Sequence, residues 1–165
     1  MAGLVSNLID ILKGQIELFQ QINALSVDKK QHIIKNDTEA LRAVVAKENE
    51  IVPKILRTDK NRQLVMKDIC TVLNKKEEDM TLTKLIDLIE GQPDHKELKE
   101  VVEELKSVAD EMKVLNDSIK VLIENALEYV NFNINMIHSS FADAPAGYGD
   151  ILEEAPQKSF LDING

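Results

Sequence analysis

Residues 98–136 read LKEVVEELKSVADEMKVLNDSIKVLIENALEYVNFNINM. Leu98, Val101, Leu105, Val108, Met112, Leu115, Ile119, Leu122, Ala126, Tyr129 and Met136 recur at alternating steps of three and four, broken only at Asn133. That is a heptad pattern held over about six repeats, the mark of a helix burying one seam against other helices. The back of the same segment is equally regular. Lys99, Lys106, Lys113 and Lys120 share one position, and Glu103, Asp110, Asp117 and Glu124 share another. Acids and lysines three or four residues apart can pair on a solvated face. Neither glycine nor proline occurs between Pro93 and Pro145. The spacing therefore predicts a single helix from Asp94 to Ser139, about 69 Å long at 1.5 Å per residue.

The upstream sequence supplies the neighbours. Between Gly14 and Gly91 there is no glycine, and Pro53 is the one proline. From Ala2 to Lys35, the row Leu4, Leu8, Ile11, Leu18, Ile22 and Leu25 lies beside Val5, Ile9, Leu12, Ile16 and Phe19. Two adjacent rows make the wide stripe of a bundle helix, about 50 Å long. Asn36-Asp37-Thr38-Glu39 reads as a stop and restart, with Asn36 as cap and Glu39 as its reciprocal partner. A second helix is expected from Asp37 to Lys76, kinked rather than split at Pro53 because its apolar period resumes afterwards. A short amphipathic helix comes next, from Thr81 to Glu90, closed by Gly91-Gln92-Pro93. Short connections force neighbouring helices to be antiparallel. The fold expected is all-α: an elongated up-down-up bundle of three long antiparallel helices plus one short helix, with a disordered C-terminal tail. The third helix outlasts the first and so has a free end. The bundle occupies residues 1–140. Residues 141–165, with three Gly, two Pro, five acids and one Lys, form a flexible acidic tail.

Composition excludes several functions. The 165 residues carry 29 acids against 20 bases, a net charge of −9, which opposes nucleic-acid binding. Cys70 is the single cysteine, so no disulfide framework exists and a reducing compartment fits. No apolar run approaches the roughly 18 residues of a membrane helix. The N-terminus lacks the pattern of a secretory signal. A cytoplasmic protein without membrane insertion is expected.

Chemistry is hard to find in this chain. His32, His95 and His138 lie outside metal-ligand spacing of one another and of Cys70. The glycines are isolated, so there is no phosphate loop, and no nucleophile motif occurs. No catalytic residue, metal or cofactor is expected. His32-Ile33-Ile34-Lys35 matches the His-x-x-Lys of histidine phosphotransfer domains, but a helix boundary comes directly after it, at Asn36. Phosphotransfer at His32 remains an alternative.

The stretch Tyr129 to Ser140 stands apart. After Glu128 no charged residue occurs until Asp143. Tyr129, Val130, Phe132, Ile134, Met136 and Ile137 alternate with Asn131, Asn133 and Asn135. On a helix these apolar groups spread around most of the circumference, more than one neighbour can cover. Two readings stay open: a helix end buried in its own bundle, or an uncovered patch for another protein. On the second reading the binding residues are Ile123, Val130, Phe132, Ile134 and Ile137, which lie off the main seam or at its edge.

The layout resembles the FlgN-type flagellar export chaperones. The resemblance is carried by Leu8 to Leu18, by Lys35-Asn36-Asp37-Thr38-Glu39-Ala40-Leu41, by Thr81 to Ile86, by Glu128-Tyr129-Val130-Asn131-Phe132, and by Ser159-Phe160-Leu161-Asp162. It covers nearly the whole chain and rests on order and spacing. It implies a cytoplasmic chaperone that binds the C-terminal helices of the hook–filament junction proteins and prevents premature assembly. It also implies delivery of these subunits to the cytoplasmic domain of the flagellar type III export gate. Tyr148 matches the family's gate-contacting tyrosine, although the usual preceding Thr is Gly147 here; Phe160 and Leu161 are further gate-binding candidates. A weak homodimer, or a homodimeric coiled-coil adaptor built on the third helix, is the competing architecture.

Overall fold

The structure is a computed structural model and describes residues 1–142. Its elements are α1 (Ala2–Ile34), α2 (Thr38–Leu73), a 3-10 turn (Glu77–Asp79), α3 (Leu82–Leu88) and α4 (His95–Ala142). No strand occurs among the described residues, so the all-α class holds. The chain divides into two compact units, Met1–Leu122 and the residues from Ile123 onward, with the division falling inside α4.

In the first unit, polar contacts between helices fix the helix directions. Lys29 of α1 pairs with Glu48 of α2 at 2.9 Å, and Gln15 reaches Asp59. Moving back along α1 means moving forward along α2, so these two are antiparallel. Lys13 pairs with Glu97 at 2.7 Å and the Asn23 Nδ2 donates to the Val108 carbonyl at 3.2 Å, offsets of 84 and 85 residues. A constant offset means that α4 runs parallel to α1 and against α2, the up-down-up order. Carried along, this offset brings Ile34, the end of α1, level with Ile119, the last buried side chain of α4 among the described residues.

The core gathers at one end of this unit. Val5, Leu8, Ile9, Leu12 and Ile16 of α1 meet Val65, Met66 and Ile69 of α2. Leu85 and Ile89 close it from α3 and its C-cap, and Leu98, Val101, Val102 and Val108 from α4. These are the apolar rows of the heptad reading, buried because each helix offers a stripe to two neighbours. Further along α1 the interior becomes polar: Gln15, Asn23 and Ser26 are buried. Cys70 is buried, and its burial, with the nearby Glu77 carboxylate adding to it, pushes its thiol up.

Both α1 and α2 end on asparagine. Asn36 and Asn74 hold left-handed backbone, with φ of 54° and 52°. At each end two successive N–H groups return to carbonyls in the last turn: Asn36 to Ile33 and Asp37 to His32, then Asn74 to Thr71 and Lys75 to Cys70. This is the Schellman closure. It corrects the expectation that Asn36 caps α2. Asp37 is the cap, its carboxylate accepting from the Ala40 N–H at 3.0 Å, while Asn36 is consumed in ending α1. Thr81, expected as the first residue of the short helix, is its cap, the hydroxyl accepting from the Lys84 N–H at 3.2 Å. At Pro53, α2 is not split. Pro53 has no N–H to donate to the Asn49 carbonyl, and both residues are exposed. The last helix runs beyond the expected Ser139 to Ala142.

Candidate functional site

The second unit offers a long helical segment, Ile123 to Ala142, with a distinctive surface. From Tyr129 to Ala142 it holds no Asp, Glu, Lys or Arg. Ile123, Tyr129, Val130, Phe132, Ile134, Met136, Ile137 and Phe141 are all exposed. Leu127 is half-buried. Val130 keeps 49%, Ile137 50% and Phe132 60% of its surface in solvent, so the buried-end reading of this stretch fails in the described chain. Monomeric proteins rarely leave so many large apolar groups contiguous and uncovered without a binding role.

At 3.6 residues per turn, the apolar residues sort into two faces. Ile123, Leu127, Val130, Ile134, Ile137 and Phe141 recur at steps of four and three, and occupy an arc of about 80°. This is a strict heptad stripe, about 27 Å long. It is displaced by one residue from the bundle seam, whose continuation would be Ala126, Tyr129, Asn133 and Met136. Tyr129, Phe132 and Met136 form the second face, roughly 150° away around the helix. Beside it lies a shallow open depression lined by Phe132, Asn135, Met136, Ser139 and Ser140.

Four of the five expected binding residues, Ile123, Val130, Ile134 and Ile137, therefore share a face, and Phe132 does not. Sequence reasoning missed Leu127 and Phe141 as members of the stripe. Their signal was available in the same steps of four and three. Tyr148, Phe160 and Leu161 lie outside the described residues.

The polar side chains at the end of the segment do not compete for a partner. The Ser139 and Ser140 hydroxyls each donate to a carbonyl of their own helix, Asn135 and Met136, at 2.9 Å. The rest of the exposed surface from Tyr129 to Phe141 is apolar groups, asparagine side chains and His138.

Elsewhere, no group of three or more His, Cys, Asp or Glu that could hold a metal exists among the described residues. No helix among them is long and apolar enough to cross a membrane. His32 is half-buried in the last turn of α1, and its carbonyl is occupied by the Asp37 N–H in the closing turn.

Comparison with curated proteins and with solved structures gave no match. A family model described as FlgN protein matches residues 1–151, which takes in every described helix. Those helices, the uncovered apolar segment and this match agree: the chain belongs to the FlgN family, the flagellar export chaperones.

Proposed function

We propose that this protein binds the C-terminal helices of the hook–filament junction proteins in the cytoplasm. It keeps them from assembling early and delivers them to the cytoplasmic domain of the export gate. The observation that carries the reading is the stripe Ile123, Leu127, Val130, Ile134, Ile137 and Phe141, exposed except at half-buried Leu127, on a helix with no charge after Glu128. A heptad stripe is complementary to another amphipathic helix, and to little else. A junction subunit that has not yet assembled carries terminal helices whose apolar faces lack neighbours. The stripe supplies a substitute neighbour. Such an exchange of one apolar contact for another requires no nucleotide.

Magnitude sets a limit on this face alone. Roughly half of each side chain is already covered by its own helix, so covering the remainder contributes about 1 kcal/mol per residue. Six such residues give a moderate hold against the entropy of association. Tyr148, Phe160 and Leu161 are assigned to the gate, since they lie beyond the helix and carry the family resemblance.

The test is a titration of a junction-protein C-terminal fragment into wild type and into the Val130→Asp/Ile137→Asp double variant. Affinity is expected to fall roughly a hundredfold, with the melting temperature within about 2 °C of wild type. Unchanged affinity would remove the stripe from the function. A tight dimer in the absence of cargo, dissolved by the same substitutions, would favour the coiled-coil adaptor instead.

A further inference from the structure

Burial is uneven along the first unit. The buried apolar side chains of α1 all fall within residues 5–16, in the core shared with α2, α3 and α4, and Phe19 is the last residue of α1 to pack against that core. Beyond Phe19 the buried side chains of α1 are Asn23 and Ser26, both polar. Alongside, α2 buries Val44 and Ile51, and α4 buries Ile119; none of these three belongs to the core. Val27, Ile34 and Val52 are exposed. Folding of residues 20–52 therefore gains little apolar burial to set against the chain entropy of ordering them.

Polar groups add to the imbalance. Asn23 is 4% exposed and gives its Nδ2 to the Val108 carbonyl, but no protein group donates to its Oδ1. A buried acceptor without a donor costs free energy that is recovered in water. The Lys29–Glu48 pair ties α1 to α2 with both side chains largely withdrawn from water, so its attraction mainly offsets its own desolvation. Ser26, Val27, Asp28, His32, Ile33 and Ile34 are also weak helix formers.

We propose that residues 20–52, the distal α1–α2 hairpin, unfold and refold as one unit while the core stays intact. Each boundary has a physical cause. On α1 it is Phe19, the last anchor in the core. On α2 it is Pro53, which has no N–H for the Asn49 carbonyl and disfavours helical backbone at Val52. A shortened α2 that starts at Pro53 is a sound helix, because the first turn needs no such donor. The two halves of the hairpin are joined directly through residues 35–37 and pack on each other, so they leave together. By the Asn23–Val108 register, the opening takes the cover from half-buried Met112 and Leu115 and from Ile119 of α4.

Hydrogen exchange of the full chain, followed by mass spectrometry, tests this. The hydrogen-bonded amides of residues 22–52 are expected to share one level of protection, at least about a hundredfold below that of residues 8–16 and 65–69. Ile69→Val then separates a local event from a global one. Ile69 is fully buried in the core, and removing one methylene there should lower core protection roughly fivefold. Protection of residues 22–52 should stay unchanged, because the core remains formed when the hairpin opens. Protection that declines gradually toward Asn36 would mean fraying of two helix ends. Equal protection of both regions in wild type, or a common fall in the variant, would mean one cooperative fold. Any of these results would overturn the proposal.

Discussion

Asp59 shows how a single carboxylate is held in the first unit. The Arg62 guanidinium donates to it at 2.8 Å, Gln63 donates to its other oxygen, and Gln15 of α1 adds to the set. The Arg62 hydrogen bond is the main reason that its carboxyl lies below the ordinary carboxylate range, with burial opposing it. A lowered folded-state value stabilises the fold above the unfolded value, near about 4. That contribution is lost as pH falls through the folded value. The stability gap between wild type and Asp59→Asn should therefore be constant from about pH 5 to 7 and close progressively below about pH 4, as read by urea melts. A gap independent of pH would show that Asp59 acts by packing. None of this was legible in sequence beyond the three- and four-residue spacing of Asp59, Arg62 and Gln63, because Gln15 comes from another helix. The cap at the second helix eludes sequence for a related reason. Asn is a good N-cap in isolation, but closing α1 required a residue tolerant of φ near 54°, and Asn36 fills that need, passing the cap to Asp37.

α4 carries two jobs on one uninterrupted helix, and its residues respond differently to deletion. Leu98 is fully buried in the core with Leu8, Leu12 and Leu85. Leu98→Ala removes a filled volume that rigid neighbours cannot collapse into, and should cost about 3 kcal/mol. Ile134 touches solvent over nearly half its surface, and Ile134→Ala should stay within about 0.5 kcal/mol. Equal losses in denaturant melts would mean that the far segment is packed. Periodicity made the existence of this helix and its seam legible, because a heptad row needs only local sequence, and the short connections made its direction legible. Periodicity did not reveal where burial would stop, since that depends on the lengths of α1 and α2 and on their register with α4. The change of face is legible in the sequence as well: Ile123, Leu127, Val130, Ile134, Ile137 and Phe141 shift the apolar row by one residue. Grouping Phe132 with them comes from treating every off-seam residue as equivalent, when spacing places it on the opposite side.

At the scale of the whole chain, the two proposed partners draw on different physics, and salt separates them. The proposed cargo stripe is made of apolar side chains only, with no Asp, Glu, Lys or Arg from Tyr129 to Ala142, so binding there is expected to be governed by apolar burial, which salt does not screen. The proposed gate contact centres on Tyr148, among Asp143, Asp150, Glu153 and Glu154 with only Lys158 opposing. A tyrosine there buries a large ring at low side-chain entropy cost and keeps a hydroxyl for a hydrogen bond. The surrounding acids favour a basic groove and speed encounter with it. Raising salt from about 50 mM to about 500 mM, where the screening length shrinks to roughly 4 Å, should weaken gate binding at least tenfold and leave cargo affinity within twofold. Tyr148→Ala should lower gate affinity several-fold at low salt without touching cargo affinity. Titration calorimetry of both partners against wild type and variant measures all of these. Equal gate binding by the variant would shift the anchor to Phe160 and Leu161. A cargo affinity that falls with salt as steeply as gate affinity would mean that charges outside the stripe hold the cargo.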